Sequence, residues 1–594
     1  MRRLLIVGLD GADIAGMQAW ADAGEMPQLA RMLENGVSGD LALVPPFQPL
    51  PVWAGIATGC RPRAHGVAGT REARADGGGV QPTGRASWRR PAFWEVFEAA
   101  GAPTVVVNWP ATQPATDWPG TVIDPTYPAV TGPSFDDWPL PPDCVSPTTH
   151  RDALRNLRRH GSELGGGELL DFMPHLAELD QASDPRPQQL ASAVAATANV
   201  HAVATALAES QDWQVLAVVH DLPRQLLAGG LAEPTATQTA HRLFDMMLAR
   251  LLELAGPACD VVVLACPAAG TRGLFAAQGD GLAADRMVHG LSLFDVAPSL
   301  LALHELAFAS LGDGSAVDAL FDPPPAPARA VATTVPAPKA CAFEADLTAI
   351  GYAAKETPAQ AKALAEARVE TLWQTAEADL ALGDVDAARG ALEEAWTLAP
   401  DDPRVPLLLA RARALQGDWQ ANAALADALS ARFPDAPWGP LVQGAALAAE
   451  GQAEAARSHL DKADTLGRED ALAQFFLAKL ALYLRQTGTA ERHLRQALAL
   501  RADLVEALVD LATVLIEGDH LDEAQQLLQR AIAARYFNAE AHLRLGQVQA
   551  RRGFLVEAQR SLQTALRQKP DLSEAGAWLE RTSLAIRAEA GREL

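Results

Sequence analysis

The opening residues, MRRLLIVGLDGAD (Met1–Asp13), place a short apolar run between two arginines and an acidic, glycine-containing turn. The run Leu4–Leu9 is shorter than the hydrophobic region of a signal peptide and far shorter than a membrane helix. A continuous apolar run bounded by Gly and Asp is typical of a strand that is buried on both faces. We therefore interpret this segment as the first strand of a buried, parallel sheet.

Similar apolar runs recur through residues 1–322 and alternate with helical segments. These runs are PTVVVNWP (Pro103–Pro110), WQVLAVVHD (Trp213–Asp221), DVVVLAC (Asp260–Cys266) and GLFAAQG (Gly273–Gly279). The alternation predicts an α/β domain with a mostly parallel central sheet and helices on both faces. Residues 110–212 are rich in Pro and Gly and lack strong strand runs, so we expect an insertion or cap over the carboxyl edge of the sheet.

Length and charge narrow the classes of function. A chain of 594 residues is too long to fold around one compact core, so we expect more than one domain. Its net charge of −24 disfavours nucleic acid and anionic membranes as partners, because both are polyanions. We expect no membrane insertion and a cytoplasmic location. The five cysteines are widely spaced without a C-x-x-C pair, which is typical of neither a disulfide framework nor a zinc ribbon.

A Pro/Ala-rich linker is predicted over residues 323–342, and a repeat begins after it. Gly383, Gly417 and Gly451 lie 34 residues apart. The same spacing continues at Arg485, Asp519 and Gly553. A small residue is needed where two antiparallel helices cross closely, and five of six equivalent positions are Ala. The residues five positions after these six register positions are Ala388, Asn422, Ala456, Ala490, Ala524 and Ala558.

This period resembles the tetratricopeptide repeat (TPR). The resemblance implies an all-α superhelix over residues 343–594, with about six repeats and a final capping helix. Stacked repeats of this kind leave a concave groove, so we expect the groove to bind a protein partner.

Residues 1–322 resemble the phosphodiesterase/nucleotide pyrophosphatase branch of the alkaline phosphatase superfamily. The motifs that carry this resemblance are IVGLDGAD (Ile6–Asp13), PPFQPLPVWAGIATGCRPRAHGV (Pro45–Val67), FWEVFEAAGAPTVVVNWPATQP (Phe93–Pro114) and GLSLFDVAPSLLAL (Gly290–Leu303). It implies an α/β sandwich of the alkaline phosphatase type. It also implies two divalent ions, usually zinc, on Asp and His ligands, and a Ser or Thr nucleophile at a helix N-terminus.

The family pattern places Pro49 at the nucleophile position. Proline has neither a hydroxyl nor an N–H, so it can neither attack phosphorus nor donate to an anion. Thr58 is the nearest hydroxyl, but it lies at the far end of the same helix, and we interpret it as structural. Asp10 matches the first metal-binding aspartate, although an Asp before Gly at a strand end can also simply cap a turn.

The remaining ligand positions are mostly changed. Asp221 matches the aspartate of a D-x-x-x-H pair, but its partner position is Gln225, a poor zinc ligand. Cys266 and Pro267 occupy the turn in which the family carries an Asp and a His. A single buried Cys is more typical of apolar filling than of metal binding. His220 is adjacent to Asp221 but is expected to point to the other side of the strand.

These residues predict a vestigial site with Asp10 and Asp221 retained, no catalytic residue and no cofactor. The first hypothesis is a pseudoenzyme whose phosphodiesterase-like domain is a binding or regulatory scaffold. The alternative is an active metal-dependent phosphodiesterase or phosphatase that uses a rearranged site of Asp10, Asp221, Cys266 and His220, with Zn or Mg weakly bound. A third possibility is that the repeats alone carry the function.

Overall fold

The computed structural model describes residues 2–74, 79–129, 138–179, 184–270, 272–310, 312–333, 358–400, 402, 404–416, 418, 422–535 and 538–590. The chain divides into two compact units, and the C-terminal one consists mainly of residues from 356 onward. Residues 334–342 of the predicted linker, Gly417 and Cys341 lie outside the described residues.

A nine-stranded mixed sheet forms the centre of the N-terminal unit. Its strands are β1 (Leu4–Asp10), β2 (Val37–Ala42), β3 (Thr104–Val107), β4 (Thr121–Ile123), β5 (Val145–Ser146), β6 (Val215–His220), β7 (Asp260–Cys266), β8 (Arg272–Gln278) and β9 (Arg286–Ser292). Their spatial order is β9-β2-β8-β7-β1-β6-β3-β4-β5, and the five strands from β7 to β4 run parallel. The predicted α/β class is confirmed.

Helices lie between these strands. They are α1 (Ile14–Asp22), α2 (Pro27–Asn35), α3 (Pro49–Thr58), α4 (Pro62–His65), α5 (Phe93–Ala99), α6 (Arg151–Arg155), α7 (Gly166–Leu169), α8 (Arg186–Ser210), α9 (Leu222–Ala228), α10 (Pro234–Ala255) and α11 (Val296–Leu303). Antiparallel strands Arg71–Ala73 and Val80–Pro82 form a small separate sheet. The apolar character of Leu4–Leu9 is explained by burial, because all seven residues of β1 are buried.

The segment from 110 to 212 differs from the predicted insertion. It contributes β4 and β5 to one edge of the main sheet, and Val203 and Leu207 of α8 belong to the same apolar core as Val218 of β6. The sequence missed these strands because three and two residues are too few to show a strand periodicity. Helix α8 is also long and apolar enough to span a membrane by length and composition, but 67% of its apolar window is buried in the domain, as in a core helix.

Part of the predicted linker also belongs to the N-terminal unit. Arg329–Val331 pairs in parallel with Leu306–Phe308 as a small second sheet. The N-terminal domain therefore extends at least to Val331 rather than ending at residue 322.

The C-terminal unit is built from helices alone in the residues that are described. They are α12 (Pro358–Ala381), α13 (Val385–Leu398), α14 (Arg404–Leu415), α15 (Ala423–Arg432), α16 (Trp438–Ala449), α17 (Ala453–Leu466), α18 (Ala471–Tyr483), α19 (Thr487–Leu500), α20 (Val505–Glu517), α21 (Leu521–Ala534), α22 (Ala539–Arg551), α23 (Leu555–Gln568) and α24 (Ser573–Ala590). Successive pairs from α12/α13 to α22/α23 form six repeats, and α24 follows them. The six small residues of the repeat register are at most 2% exposed, as close helix crossing requires.

Candidate functional site

A cavity lies at the edge of the sheet where the parallel strands end. Since β1, β3, β6 and β7 run in the same direction, the residues that follow them meet at this edge. The cavity has a volume of about 290 Å³. Its lining includes Asp10, Pro49, Asn108, Gln113, Asp221 and Arg224. The structure thus brings together Asp10, Pro49 and Asp221, which the sequence singled out separately.

Asp10 is held by an arginine. The Arg224 guanidinium donates from Nη2 to Asp10 Oδ1 at 3.0 Å, and its Nε donates to the second carboxylate oxygen. Asp10 is 2% exposed. Burial raises the pKa of its carboxyl, and the charge and hydrogen bonds of Arg224 oppose that increase. Both oxygens that could bind a metal ion therefore already accept hydrogen bonds from a cation.

Asp221 follows β6 and is the residue immediately before α9. Gln225, one turn later, donates its Nε2 to Asp221 Oδ1 at 2.9 Å, so the changed ligand position supports the aspartate. Burial and the neighbouring charge of Asp10 raise the pKa of Asp221 to about 6. Asp10 and Asp221 are thus close enough to repel each other when both are ionised.

The N-terminus of α3 is poorly suited to bind an anion. Helix N-termini bind anions through N–H groups that have no partner within the helix. Pro49 and Pro51 are the first and third residues of α3, and neither has an N–H. Only Leu50 carries one among these three positions.

Thr58 has a structural role at the other end of α3. Its Oγ1 donates to Ala54 O at 2.8 Å and accepts from Cys60 N at 3.2 Å. Gly59 then adopts a left-handed conformation and ends the helix. The one hydroxyl of the helix is therefore engaged at its C-terminus and is 2% exposed.

The other residues of the proposed rearranged site are not gathered at the cavity. Cys266 pairs with Asp10 across β7 and β1, but it is 1% exposed, and burial raises the pKa of its thiol well above the usual value. Pro267 follows it and does not line the cavity. His220 lies against Phe244 and His201 of the helices on one face of the sheet, and burial lowers its pKa to about 3.

The donor set does not fit the metal pair of the resembled family. Among the described residues, no group of three or more His, Cys, Asp or Glu side chains could hold a metal ion. A zinc site needs three or four protein ligands in close geometry. Here Asp10, which lines the cavity, is bonded to a guanidinium, which a divalent cation would have to displace.

Sequence reasoning missed two features of the cavity. The first is Arg224, which lies one position before Gln225. A charged residue in the first turn of α9, next to a predicted ligand position, was the signal in the sequence that could have revealed it. The loop after β3 was also missed: Asn108 and Ala111 have φ values of 56° and 66°, which residues other than Gly rarely adopt. In this loop Gln113 donates Nε2 to Thr83 O at 2.7 Å, while its buried Oε1 has no hydrogen-bond partner in the part of the chain that the structure describes.

The TPR unit has its own cluster of partly buried charges. Glu506 of α20 accepts from Arg535 at 3.0 Å and from Arg411 of α14. Burial works against ionisation of Glu506, but the two arginines lower its pKa to about 2. Helices α14 and α20 belong to the second and fifth repeats, which do not adjoin along the stack. Non-adjacent repeats of a curved stack can meet only on its concave side, so this contact assigns α14 and α20 to that side.

Comparison with protein families finds a match within each unit. Residues 4–265 match the type I phosphodiesterase / nucleotide pyrophosphatase family, and residues 379–444 match the tetratricopeptide repeat family. Each match covers less than half of the chain. The phosphodiesterase match ends one residue before Cys266, so the resemblance of Gly290–Leu303 stays a prediction. A search of curated proteins found no match to the chain.

Among solved structures, similar ones include TPR proteins. The Cut9–Hcn1 hetero-tetramer of APC/C is 17% identical, with 41% of this chain and 52% of that chain covered and a TM-score of 0.29. Yeast Tom70 is 14% identical, with 41% and 58% covered and a TM-score of 0.32. YrrB, a TPR protein with an unusual peptide-binding site, is 20% identical, with 32% and 96% covered and a TM-score of 0.23. The chain thus spans about half of the Cut9–Hcn1 chain.

Proposed function

We propose that the phosphodiesterase-like domain is a catalytically inactive binding or regulatory body and that the TPR domain recruits a protein partner. The observation that carries the first half is that Pro49, which the family pattern predicts at the nucleophile position, lines the cavity beside both aspartates. Without a hydroxyl there, no covalent intermediate can form at that residue. The loss of two of the first three N–H groups at the start of α3 also weakens the stabilisation of a developing negative charge.

The second half rests on the repeats. TPR stacks present extended concave surfaces that bind peptides and helices. In this chain the groove-facing helices carry paired charges, such as Lys479 and Asp510 with a distance of 3.0 Å between Nζ and Oδ2. A partner that carries a charged group can take the place of one member of such a pair and bind the other member. We propose that the domain acts in the cytoplasm, in keeping with the acidic charge and the absence of a cysteine framework in the sequence.

The test of inactivity uses the purified full chain. We expect no tightly bound zinc by elemental analysis and no turnover of bis(p-nitrophenyl) phosphate or p-nitrophenyl phosphate with Zn²⁺, Mg²⁺ or Mn²⁺ added. Turnover that Asp10→Asn abolishes and Thr58→Ala leaves intact would instead establish the alternative, an active phosphodiesterase or phosphatase with a rearranged site.

The test of recruitment compares two faces of the same repeat. Lys479→Ala removes a cation from the groove-facing helix α18, and Arg495→Ala removes one from α19, where it pairs with Glu523 of the next repeat. We expect a protein captured by the wild-type chain from a lysate to bind at least fivefold less to the Lys479 variant and equally to the Arg495 variant. Equal loss from both variants, or from neither, argues against recruitment through the groove.

A further inference from the structure

The guanidinium of Arg224 binds the carboxylate of Asp10, the residue that the family pattern predicts as a metal ligand. We propose that Arg224 is a resident cation, which takes the place of a divalent ion beside Asp10 and keeps the phosphodiesterase-like domain folded in a metal-independent form. The cavity is then a latent site for a hard divalent cation, which the arginine excludes. This inference deepens the proposed function and rests on it.

The first argument is geometric. Asp10 ends β1, and Arg224 lies in the first turn of α9, which follows the neighbouring strand β6. The contact is a two-point one, since Nε and Nη2 donate to different oxygens of the carboxylate. This two-point contact fixes the position and the orientation of the guanidinium. It also gives both carboxylate oxygens a partner, as a bound metal ion would.

The second argument is the packing that brings α9 to this place. Gly11 follows Asp10 with a φ of +80°, and a Cβ at Gly11 would lie 2.4 Å from the backbone nitrogen of Arg224. The glycine therefore permits the first turn of α9 to lie directly against the turn after β1. Any other residue would combine a strained backbone with a clash, so the approach of Arg224 is built into the backbone.

The third argument is charge. Asp10 is almost fully buried, and a buried carboxylate without a counter-charge is strongly destabilising. Asp221 lies beside it and adds like-charge repulsion. The two carboxylates therefore require a cation at this edge, and Arg224 is the one that lines the cavity among the described residues. A divalent ion at the same place would meet like-charge repulsion from the guanidinium.

It follows that removing the guanidinium should convert the cavity into a cation site. Asp10 and Asp221 would then offer carboxylate oxygens from adjacent strand ends, which are the donors that hard cations such as Mg²⁺ and Mn²⁺ prefer. Methionine is a suitable replacement for Arg224, because it retains much of the length of the side chain and removes the charge.

The experiment measures Mn²⁺ binding and thermal stability of the full chain. Binding is followed by the electron paramagnetic resonance signal of free Mn²⁺, and stability by calorimetry in EDTA and in Mn²⁺. We expect Arg224→Met to bind about one Mn²⁺ per chain at free concentrations up to roughly 1 mM, since two carboxylates bind such ions weakly. Its Tm in EDTA should fall by about 5 °C, because one partner of a buried pair is missing, and Mn²⁺ should restore part of that loss.

Two further variants separate charge from packing. In Asp10→Asn/Arg224→Met both charges are absent, so we expect a Tm closer to the wild-type value than that of the single variant, and no Mn²⁺ response. Arg272→Ala breaks a surface pair with Asp40 in which the arginine is about half exposed, and it should resemble the wild type in both measurements. If Arg224→Met does not fold but the double variant does, charge compensation is supported.

Three outcomes would overturn the inference. They are a folded Arg224→Met that binds no more Mn²⁺ than Arg272→Ala, a double variant as unstable as the single one, and wild-type protein that binds Mn²⁺ in an Asp10-dependent way. None of these outcomes requires catalysis. Metal-dependent turnover by the wild type would overturn the proposed function instead, so the two failures are distinguishable.

Discussion

The cavity of the phosphodiesterase-like domain and the groove of the TPR domain each contain a carboxylate bonded to an arginine, buried in the first and partly exposed in the second. At the cavity, Arg224 and Asp10 come from elements that the sheet already places side by side. In the groove, Arg411 and Glu506 come from repeats that do not adjoin. The first pair therefore changes the chemistry of a site within a fixed architecture. The second pair is itself part of the architecture, since it ties distant repeats together.

This difference predicts where each domain is sensitive. In the phosphodiesterase-like domain, the scaffold around the cavity should matter more for stability than the polar residues that line it. In the TPR domain, substitutions of the small residues at helix crossings should have the largest effects on stability, and substitutions in the ion pairs should have smaller ones. Four substitutions test this expectation, and they are ordered by the size of the expected effect.

The largest effect is expected from Trp53→Ala. Trp53 is fully buried, its ring packs edge-on against Trp109 at 5.2 Å, and Gly8 leaves room for it against β1. The cavity left behind should cost about 3–5 kcal/mol of unfolding free energy in urea denaturation. Trp20→Ala is the control, because Trp20 is only partly buried. A cost below that of the control would show that the scaffold does not dominate.

Ala524→Leu should have the next largest effect. Ala524 is 0% exposed at the crossing of helices in the fifth repeat, so a larger side chain there must push them apart. We expect a loss of about 1–3 kcal/mol. Ala533→Leu in the same helix, at an exposed position, should be nearly neutral. Equal effects of the two variants in urea denaturation would contradict close packing at the repeat register.

Asp221→Asn should stabilise the protein in a pH-dependent way. The pKa of Asp221 is raised from 3.8 to about 6, so the folded state holds this proton more tightly and loses stability as the pH rises from 4 to 6. Asn removes that cost, so we expect a gain of about 1–2 kcal/mol at pH 7.5 that disappears near pH 4. If the gain in unfolding free energy is the same at pH 4 and at pH 7.5, its cause is not the ionisation of Asp221.

The smallest effect is expected from Arg411→Gln. Arg411 and Glu506 are partly exposed, so breaking their pair should cost about 1 kcal/mol at neutral pH, and less in high salt. The stabilisation by Glu506 is present above its ordinary pKa and is lost as the pH falls toward 2. Arg495→Gln, whose pair joins adjacent repeats, is the control. If the two variants respond alike to salt, the pair across the groove has no special role.

The architecture could be predicted from the sequence because it depends on repeated, local patterns. Apolar runs identified the long strands, and the spacing of Gly383 and Gly451 identified the TPR register. Pro49 could be assigned because Trp53 and Thr58 fixed the count along one helix. All of these inferences use positions that are close together in the chain.

The remaining features depend on contacts that spacing does not reveal. Arg224 and Asp10 are 214 residues apart, and nothing in the sequence states that α9 approaches the turn at Gly11. The strands Thr121–Ile123 and Val145–Ser146 are defined by pairing at the sheet edge rather than by a pattern of their own. The cavity could thus be located from the sequence, whereas its central cation could not.

The tie between Arg411 and Glu506 has a consequence for the way the TPR domain unfolds. Repeat stacks usually behave as linear arrays in which each unit depends on its neighbours alone, so unfolding can begin at either end and proceed unit by unit. A bond from the second repeat to the fifth adds a contact between units that are not neighbours, so we expect the repeats between them to open together more often than in a purely linear stack. The terminal units, from Ala539 onward, lie outside the repeats that this bond joins, so we expect them to fray first.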